Sequence, residues 1–276
     1  MKKLITLSFI SVLLASCGGG EKEVEADIPS EAISNKVSHI VKEKDGITLT
    51  EDFDHPLFAD AELKMVGPIA EDIFQGENEF QFTLNQYQLG VPTVEENVKG
   101  CAYSEKGQHL HFILNNEPYA AKYESNFKAA LPGGKSILLA FLSRSYHMSI
   151  KNPKAYVAYE FNVSADSSTV KPLEGEHLFY SRPKGSYSGT FAEKVLLDFY
   201  LVNTEISPEG NKVRVTINDK TVFTLDKWAP YIIEGLKEGK NSVKLELIDK
   251  DGKLIPGPFN DSGTRFFILD GLDFLK

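Results

Sequence analysis

Cysteine and tryptophan are both scarce, and this scarcity excludes one familiar kind of domain. The 276 residues contain two cysteines, Cys17 and Cys101, and a single tryptophan, Trp228. An antibody-type domain is built around a Cys…Trp…Cys core, with the tryptophan packed on a disulfide between the sheets. If Cys17 lies outside the folded domains, Cys101 is left without a partner. Any β-sandwich in this chain is therefore of the generic, disulfide-free kind.

Basic charge is also in short supply. The chain has 30 Lys and Arg against 39 Asp and Glu, a formal net charge of −9. Proteins that bind nucleic acids without sequence preference need a basic face to replace the counterions of the phosphates. We therefore expect no nucleic-acid partner. The acidic balance mainly favours solubility.

Catalytic motifs are missing as well, although two segments imitate them. The run Gly133-Gly134-Lys135-Ser136 resembles the end of a phosphate-binding loop, but Ala129 stands where that loop needs its first glycine. In the GSYSG run, Tyr187 stands where a nucleophile elbow needs serine. No paired-carboxylate or triad spacing is present either. We do not expect an enzyme.

The first residues have the pattern of a bacterial lipoprotein precursor. Lys2 and Lys3 precede an apolar stretch at 4–14 that is too short to span a bilayer. The stretch ends in Leu-Ala-Ser-Cys, which resembles the lipobox at which a lipoprotein signal peptide is removed. This pattern predicts a signal peptide over 1–16 and lipidation of Cys17, so that the membrane is a partner through the lipid anchor.

The residues that follow Cys17 predict a tether and a location. Gly18, rather than aspartate, comes directly after the cysteine, which resembles lipoproteins sent on to the outer membrane. We therefore expect an outer-membrane lipoprotein that faces the periplasm or the surface. Residues 17–46 are rich in Gly, Glu and Lys and almost free of aromatics, which is typical of a flexible tether.

An internal repeat defines the domain organisation. The stretch 107–150 has the densest hydrophobic pattern, and about a hundred residues later the pattern recurs. The alternating apolar residues align as Leu110, Phe112 and Leu114 with Val213, Val215 and Ile217, followed by the polar pairs Asn115-Asn116 and Asn218-Asp219. Self-similarity at this long period indicates two copies of one domain. We predict domain 1 over 47–166 and domain 2 over 172–276, with a hinge at 171–175.

Each copy has the pattern of an all-β domain. Apolar residues alternate with period two in short runs, and turn residues separate the runs every eight to twelve positions. Helical periodicity is nearly absent. About seven such strands in roughly a hundred residues are typical of an immunoglobulin-like sandwich. We therefore predict an all-β protein of two tandem immunoglobulin-like antiparallel β-sandwiches.

Pairing of the strands predicts that distant polar residues converge in domain 1. If 109–115 and 136–144 are neighbouring antiparallel strands, the start of one lies beside the end of the other. His109, His147, Arg144 and Cys101 should then meet at one loop end. Because Leu110 and its period-two neighbours face the core, His109 and His111 should share the opposite face. Domain 2 has Lys212 and Arg214 at the equivalent positions, so the shared fold does not explain the histidines.

Three interpretations of this loop end remain open. First, His109, His111 and His147 could bind a metal ion, with copper or zinc the candidates, because neutral imidazoles are good ligands for both. Second, Arg144, Tyr146, His147 and Lys151 could form a ligand-binding site for an anionic group, a peptide or a protein partner. Third, the histidines could be ordinary polar strand residues beside a solvated turn.

Several segments are similar to those of a known group of proteins. The segments GQHLHFILNNEPY and FLSRSYHMSIK, with KWAPYIIEGL and GPFN in the second copy, resemble two-domain lipoproteins that are labelled as phosphopeptide-binding. The resemblance covers most of the chain after about residue 48 and implies a ligand-binding role without catalytic residues. The sequence therefore predicts a lipid-anchored, non-enzymatic binding protein of the bacterial envelope, with its site at the loop end of domain 1. A metal-binding envelope protein is the alternative.

Overall fold

The computed structural model describes residues 41–51, 57–94 and 102–271, and these contain strands, two short 3-10 helices and no α-helix. In chain order the strands are β1 (Val41–Lys44), β2 (Ile47–Glu51), β3 (Glu62–Gly67), β4 (Gly76–Asn85), β5 (His109–Leu114), β6 (Ala120–Lys122), β7 (Asn126–Leu131), β8 (Gly134–Ser143), β9 (Tyr156–Val163), β10 (Thr169–Pro172), β11 (His177–Arg182), β12 (Gly185–Ser188), β13 (Val195–Val202), β14 (Lys212–Ile217), β15 (Thr221–Leu225), β16 (Tyr231–Glu234), β17 (Gly239–Ile248) and β18 (Arg265–Asp270). The 3-10 helices are Ala70–Asp72 and Gly189–Ala192. Within these ranges, no helix is long and apolar enough to cross a membrane.

The first sandwich packs a three-stranded sheet on a five-stranded one. The smaller sheet has the order β3-β4-β7 and the larger the order β10-β9-β8-β5-β6. Their facing side chains form a core that includes Phe80, Leu110, Leu138 and Phe161, each of which is fully buried. The alternation of apolar residues along β5 and β8 supplies one side of this core.

The second sandwich packs two five-stranded sheets. Their orders are β1-β2-β16-β13-β11 and β12-β18-β17-β14-β15. Every pairing in them is antiparallel except that of β12 with β18. The core between them includes Leu49, Val215, Leu245 and Phe267. These sheets, together with the first sandwich, confirm the predicted all-β fold of immunoglobulin-like sandwiches.

The two copies of the sequence repeat pair their strands in the same register. In the first sandwich β5 pairs with β8 so that Leu110 lies opposite Leu142. In the second, β14 pairs with β17 so that Val213 lies opposite Leu247. The polar pairs that follow β5 and β14 also adopt the same left-handed backbone, with φ of 52° at both Asn115 and Asn218. The aligned sequences therefore build the same antiparallel ladder in each copy.

The two sandwiches are joined by a third apolar cluster between their inner sheets. Strands β5 and β13 are buried almost throughout, without the alternation of a half-exposed strand, because each is covered on both faces. The Phe141 ring stacks on the Tyr200 ring with centroids 4.5 Å apart, and the Tyr200 hydroxyl donates to the carbonyl oxygen of Ile150 at 3.0 Å. Two sheets from each sandwich thus form four successive layers.

Strands β1, β2 and β10 do not follow the predicted domain boundaries. Residues 41–44 were assigned to the tether, but they form β1, and β2 pairs with β16 of the second sandwich instead of joining the first. A Cβ at Gly235 would collide with the carbonyl oxygen of Gly46, so the turn before β2 fits closely against that sandwich. Strand β10, at the predicted hinge, pairs with β9 of the first sandwich. Alternation identifies such strands but not their partners.

Candidate functional site

Three histidine rings converge between the two sandwiches. The Nε2 atom of His109 lies 3.1 Å from Nε2 of His111 and 3.0 Å from Nδ1 of His147. One ring nitrogen from each of the three residues lies within 4.8 Å of the other two. The predicted convergence of His109 and His147 is confirmed. Whether these rings bind a metal remains a prediction.

Strand β5 and one tight turn set this geometry. His109 and His111 are two residues apart on β5, so both side chains leave the same face of the sheet. His147 lies in the turn after β8, which is closed by hydrogen bonds from the amide of His147 to the carbonyl of Arg144 and from the amide of Arg144 to the carbonyl of Met148, both 3.0 Å. Its φ of 66° lies in the left-handed region, which costs a non-glycine residue about 1 kcal/mol.

The outward ring nitrogens of the two strand histidines have fixed partners. Nδ1 of His109 lies 2.9 Å from the carbonyl oxygen of Gly107, which can only accept, so this nitrogen carries a proton. The Nε2 atom of a neutral His109 therefore presents its lone pair to the cluster. Nδ1 of His111 lies 3.1 Å from Oγ of Ser181, on strand β11 of the second sandwich. Hydrogen bonds of this kind orient metal-binding histidines in other proteins.

The backbone at position 107 requires a glycine. Its φ is 84°, and a Cβ at this position would collide with the backbone of Val91. The close approach is held by hydrogen bonds of Gln108 to Val91 and of Gly90 to Gln108. The carbonyl that orients His109 is thus built into a tight crossing of two backbone segments.

A tyrosine and two cations complete the surroundings. The Tyr119 ring stacks on the His111 ring at 3.5 Å and 8°, and its hydroxyl lies 3.2 Å from Nδ1 of His147. On the other side of that ring, Nζ of Lys184 is 3.7 Å from the ring centre and donates to the Tyr119 carbonyl at 2.8 Å. The guanidinium of Arg182 lies 5.3 Å from the ring centre and interacts with the phenol hydroxyl.

Burial keeps the three imidazoles uncharged. Burial lowers the pKa of His109 to about 4, against a smaller raising effect of its bond to Gly107. Burial, and then the charge of Arg182, lowers the pKa of His147, and burial holds the pKa of His111 well below its usual value. All three rings are therefore neutral near pH 7, the form in which histidine binds metal ions.

The three histidines differ in exposure. His109 and His111 are fully buried, whereas His147 is partly exposed in its turn. The arrangement therefore provides three neutral nitrogen donors, two of them fully buried and one on a partly exposed residue. Three nitrogen ligands with an open position are a common donor set for zinc and copper.

The cations predicted to bind an anionic ligand are buried and have partners inside the protein. Arg144 is 1% exposed, donates to the carbonyl of Ser149 at 3.0 Å and lies over the Phe58 ring. Lys151, with a side chain only 11% exposed, pairs with the fully buried Asp198 of β13 at 2.7 Å. These side chains hold the loop against the protein and do not present a surface to a ligand.

Tyr146, the remaining member of the predicted ligand set, is also buried. It is 3% exposed and packs in an apolar cluster with Met148 and Leu196, the latter from the second sandwich. Of the four residues predicted as a ligand site, only His147 reaches both the cluster and the surface. The expected open loop end of domain 1 is covered here, because the second sandwich packs against it.

Four residues of the site were not anticipated from the sequence. Tyr119 belongs to the segment after β5, and Ser181, Arg182 and Lys184 belong to the end of β11 and the turn after it. Nothing in their spacing from the histidines indicates proximity, because the contacts depend on how the two sandwiches pack. The predicted neighbour Cys101 and the predicted lipidation site Cys17 lie outside the described residues.

Comparisons with known proteins do not assign a family. No family model matches the chain, and no curated protein matches it. Fibronectin(III)-like modules of Clostridium thermocellum CbhA are 12% identical, over 78% of this chain and 97% of that one, with a TM-score of 0.27. The two tandem V-type regions of VCBP3, a v-region-containing chitin binding protein, are 7% identical over 76% and 99%, with a TM-score of 0.20.

A third solved structure is SGBP-B of the Bacteroides ovatus mixed-linkage glucan utilization locus, in complex with a mixed-linkage heptasaccharide. It is 8% identical over 75% of this chain and 70% of that one, with a TM-score of 0.18. At such scores these similarities say nothing about the function of this chain. The resemblance to two-domain lipoproteins therefore remains a prediction from the sequence.

Proposed function

We propose that this chain is a non-enzymatic metal-binding protein of the bacterial envelope, which holds one copper or zinc ion between His109, His111 and His147. The observation that carries the proposal is the meeting of three ring nitrogens, with contacts of 3.0 and 3.1 Å about Nε2 of His109. Two ligands bonded to one ion at 2.0–2.1 Å and at 90–110° to each other are about 2.9–3.4 Å apart. The two contacts of His109 fall within that interval, and the nitrogens of His111 and His147 lie within 4.8 Å of each other.

The hydrogen bonds around the cluster support the same function. An ion held here would take the lone pairs of Nε2 of His109, Nε2 of His111 and Nδ1 of His147. The protons then lie on the Nδ1 atoms of His109 and His111, where Gly107 and Ser181 offer acceptor oxygens. Such outward hydrogen bonds fix the tautomer and raise the basicity of the ligand.

The donor set selects the class of metal. All three atoms are imidazole nitrogens, which suit zinc and copper, whereas calcium and magnesium take oxygen ligands. Fold requirements do not account for the cluster, because Arg214 in the second sandwich occupies the position that aligns with His111 and there pairs with Glu246 on the sheet surface. A hydrogen-bonded histidine cluster without metal is the competing explanation.

Calorimetric titration of the metal-free mature protein with Cu²⁺ and with Zn²⁺ tests this function. We expect one ion per chain. The variant His147→Asn should weaken binding at least tenfold, about 1.4 kcal/mol. Asparagine suits this position because it tolerates the left-handed backbone and removes the imidazole without a new clash.

The matched control is His177→Asn. His177 is also a buried histidine, but its Nε2 contacts the carbonyl of Glu174, away from the cluster. This variant should bind the ion as tightly as the unaltered protein. If the protein takes up neither ion stoichiometrically, or if His147→Asn binds as well as His177→Asn, the proposed function is wrong.

The envelope location is part of the proposal and rests on the sequence before Gly18. The Leu-Ala-Ser-Cys run resembles a lipobox, and lipidation of Cys17 would anchor the metal-binding part to a membrane. Cells grown with a labelled fatty acid should incorporate the label into the chain. Cys17→Ser should abolish that incorporation, and equal labelling of both chains would exclude the anchor.

A further inference from the structure

The two sandwiches differ at one sheet edge. In the second sandwich the outer edge of β16 is covered by β2, which pairs with it from Tyr231 to Glu234. The sheet β3-β4-β7 of the first sandwich matches the series β11-β13-β16, but β7 is the last strand of its sheet among the described residues. The outer edge of β7 therefore presents backbone groups to which a further strand can pair.

Strands β7 and β16 match residue by residue. A pair of opposed leucines joins β3 to β4, and an equivalent pair joins β11 to β13. Four residues before that leucine on the middle strand, β4 lies opposite Phe127 of β7, and β13 lies opposite Tyr231 of β16. Phe127 therefore takes the place of Tyr231, whose neighbour on the other side is Glu51 of β2.

The side of the sandwich that β2 covers in the second copy is a groove in the first. The β1–β2 hairpin fills the second core with Ile47 and Leu49, and Oγ1 of Thr221 in β15 donates to Oδ2 of Asp45 in its turn at 2.9 Å. Between β6 and β7, which match β15 and β16, lies a groove of about 460 Å³. Apolar side chains and two lysines line it, among them Phe112, Leu114, Ala120, Ala129, Lys122 and Lys128.

The hydrogen bonds of β7 show which of its residues face outward. The amide of Phe82 donates to the carbonyl of Ser125 at 2.9 Å, and the register of β4 with β7 sets these two residues opposite each other. In an antiparallel ladder the hydrogen-bonded pairs recur at every second residue. Phe127 and Ala129 therefore bond to β4, whereas the N–H and carbonyl of Lys128 point to the outer edge.

A lysine beside the groove is suited to an acidic residue on an added strand. In the second sandwich, Glu51 of β2 lies opposite Tyr231 and forms an ion pair with Lys227, from the loop before β16. In the first, Nζ of Lys122 lies 4.5 Å from the centre of the Phe127 ring, and Lys122 forms no ion pair with a described residue. An acidic side chain opposite Phe127 would therefore meet Lys122.

We propose that β7 is a docking site for an extended segment of a partner protein, which pairs with β7 antiparallel and fills the groove with alternating apolar side chains. The segment has the chemistry of β2, with an acidic residue opposite Phe127. In such complexes the main chain supplies affinity and the side-chain pockets supply specificity. A second copy of this chain is a poorer occupant, because central pairing of β7 with itself brings two Lys128 side chains onto one face of the joined sheet.

A synthetic peptide with the sequence of residues 44–51, KDGITLTE, is the probe. It contains β2 and the turn before it, and in the folded protein the matching edge of β16 is already paired. Fluorescence anisotropy of the labelled peptide, titrated with the mature protein, measures binding. We expect saturable binding of one peptide per chain. Hydrogen exchange at the amides of Lys128 and Ala130 should slow at least tenfold when the peptide is bound.

Lys128→Pro and Lys128→Ala form the matched pair of variants. Both remove the side chain and its exposed ion pair with Glu77, but only proline removes the outward N–H. Proline is tolerated at such a position of an edge strand. Lys128→Ala should bind the peptide within about threefold of the unaltered protein, whereas Lys128→Pro should bind it at least tenfold more weakly. Should Lys128→Pro not fold, hydrogen exchange of the unaltered protein decides the question.

A charge exchange tests the predicted acidic residue. The peptide with Glu51→Lys should bind the unaltered protein about threefold more weakly than the original peptide, because its lysine would face Lys122. The protein variant Lys122→Glu should bind the altered peptide better than the original one. Equal binding of both peptides by both proteins would exclude Lys122 as the partner of an acidic residue.

Three results would overturn the docking site. They are the absence of saturable peptide binding, equal binding by Lys128→Pro and Lys128→Ala, and protection of β16 instead of β7 when the peptide is added. If sedimentation shows a dimer that Lys128→Pro converts to a monomer, a second copy is the occupant and the partner protein is excluded. None of these measurements involves Cu²⁺ or Zn²⁺, so failure of the docking site leaves the metal-binding function untouched.

Discussion

Lys151 and Lys154 lie three residues apart in one loop, and the exposure of their ion pairs differs. Lys151 contacts Asp198 at 2.7 Å with side chains 11% and 0% exposed. We predict that Lys151→Met lowers the free energy of unfolding by about 3–5 kcal/mol, because it leaves the carboxylate of Asp198 buried without a cation. Urea denaturation measures the change.

Two further variants control this prediction. Lys154 pairs with Glu62 at 2.8 Å with its side chain 69% exposed, so Lys154→Met should cost less than about 1 kcal/mol. The double variant Lys151→Met/Asp198→Asn should recover most of the loss, because it removes the buried charge as well. Equal costs for Lys151→Met and Lys154→Met would show that the buried pair does not hold the sandwiches together.

For single residues, the sequence predicted the convergence of the histidines but not the burial of Arg144 and Lys151. Alternation puts His109 and His111 on one face, and antiparallel pairing brings the end of β8 beside them, so local rules are sufficient for their convergence with His147. Arg144 and Lys151 lie in a loop of polar residues that is typical of an exposed turn. Lys151 is buried in a pair with Asp198 of the other sandwich, whereas Arg144 lies over the Phe58 ring of its own sandwich. No local pattern contains that information.

For the strands, the sequence predicts where a strand lies better than it predicts which strand it pairs with. The alternating burial of Ile47 and Leu49 in β2 is that of an ordinary half-buried strand. Proximity along the chain favoured the first sandwich, but β2 pairs with β16, about 180 residues later. By contrast, the pairing of β5 with β8 agrees with the antiparallel neighbours predicted at 109–115 and 136–144, and β14 pairs with β17 in the equivalent register.

At the scale of the whole molecule, the packing of the two inner sheets creates the site. The histidines come from β5 and from the turn after β8, whereas Ser181, Arg182 and Lys184 come from the second sandwich. Neither sandwich alone contains the donors, the hydrogen-bond partners and the charges together. The apolar cluster around Phe141 and Tyr200 therefore sets the distance between the two halves of the candidate site.

Strands β1 and β2 complete one sheet of the second sandwich, because β2 pairs with β16. Two truncated chains test how much these strands stabilise it. A chain that begins at residue 41 retains β1 and β2, whereas one that begins at residue 57 loses both. Leu49 is fully buried and Ile47 nearly so, and each contributes about 1.5–3 kcal/mol. The shorter chain should therefore be at least 3 kcal/mol less stable in urea, and β16, now an edge strand, should lose its amide protection against hydrogen exchange. The sheet β3-β4-β7 is the internal control, and its protection against hydrogen exchange should change less.

Equal urea midpoints and equal protection of β16 in the two chains would show that β2 does not stabilise the second sandwich.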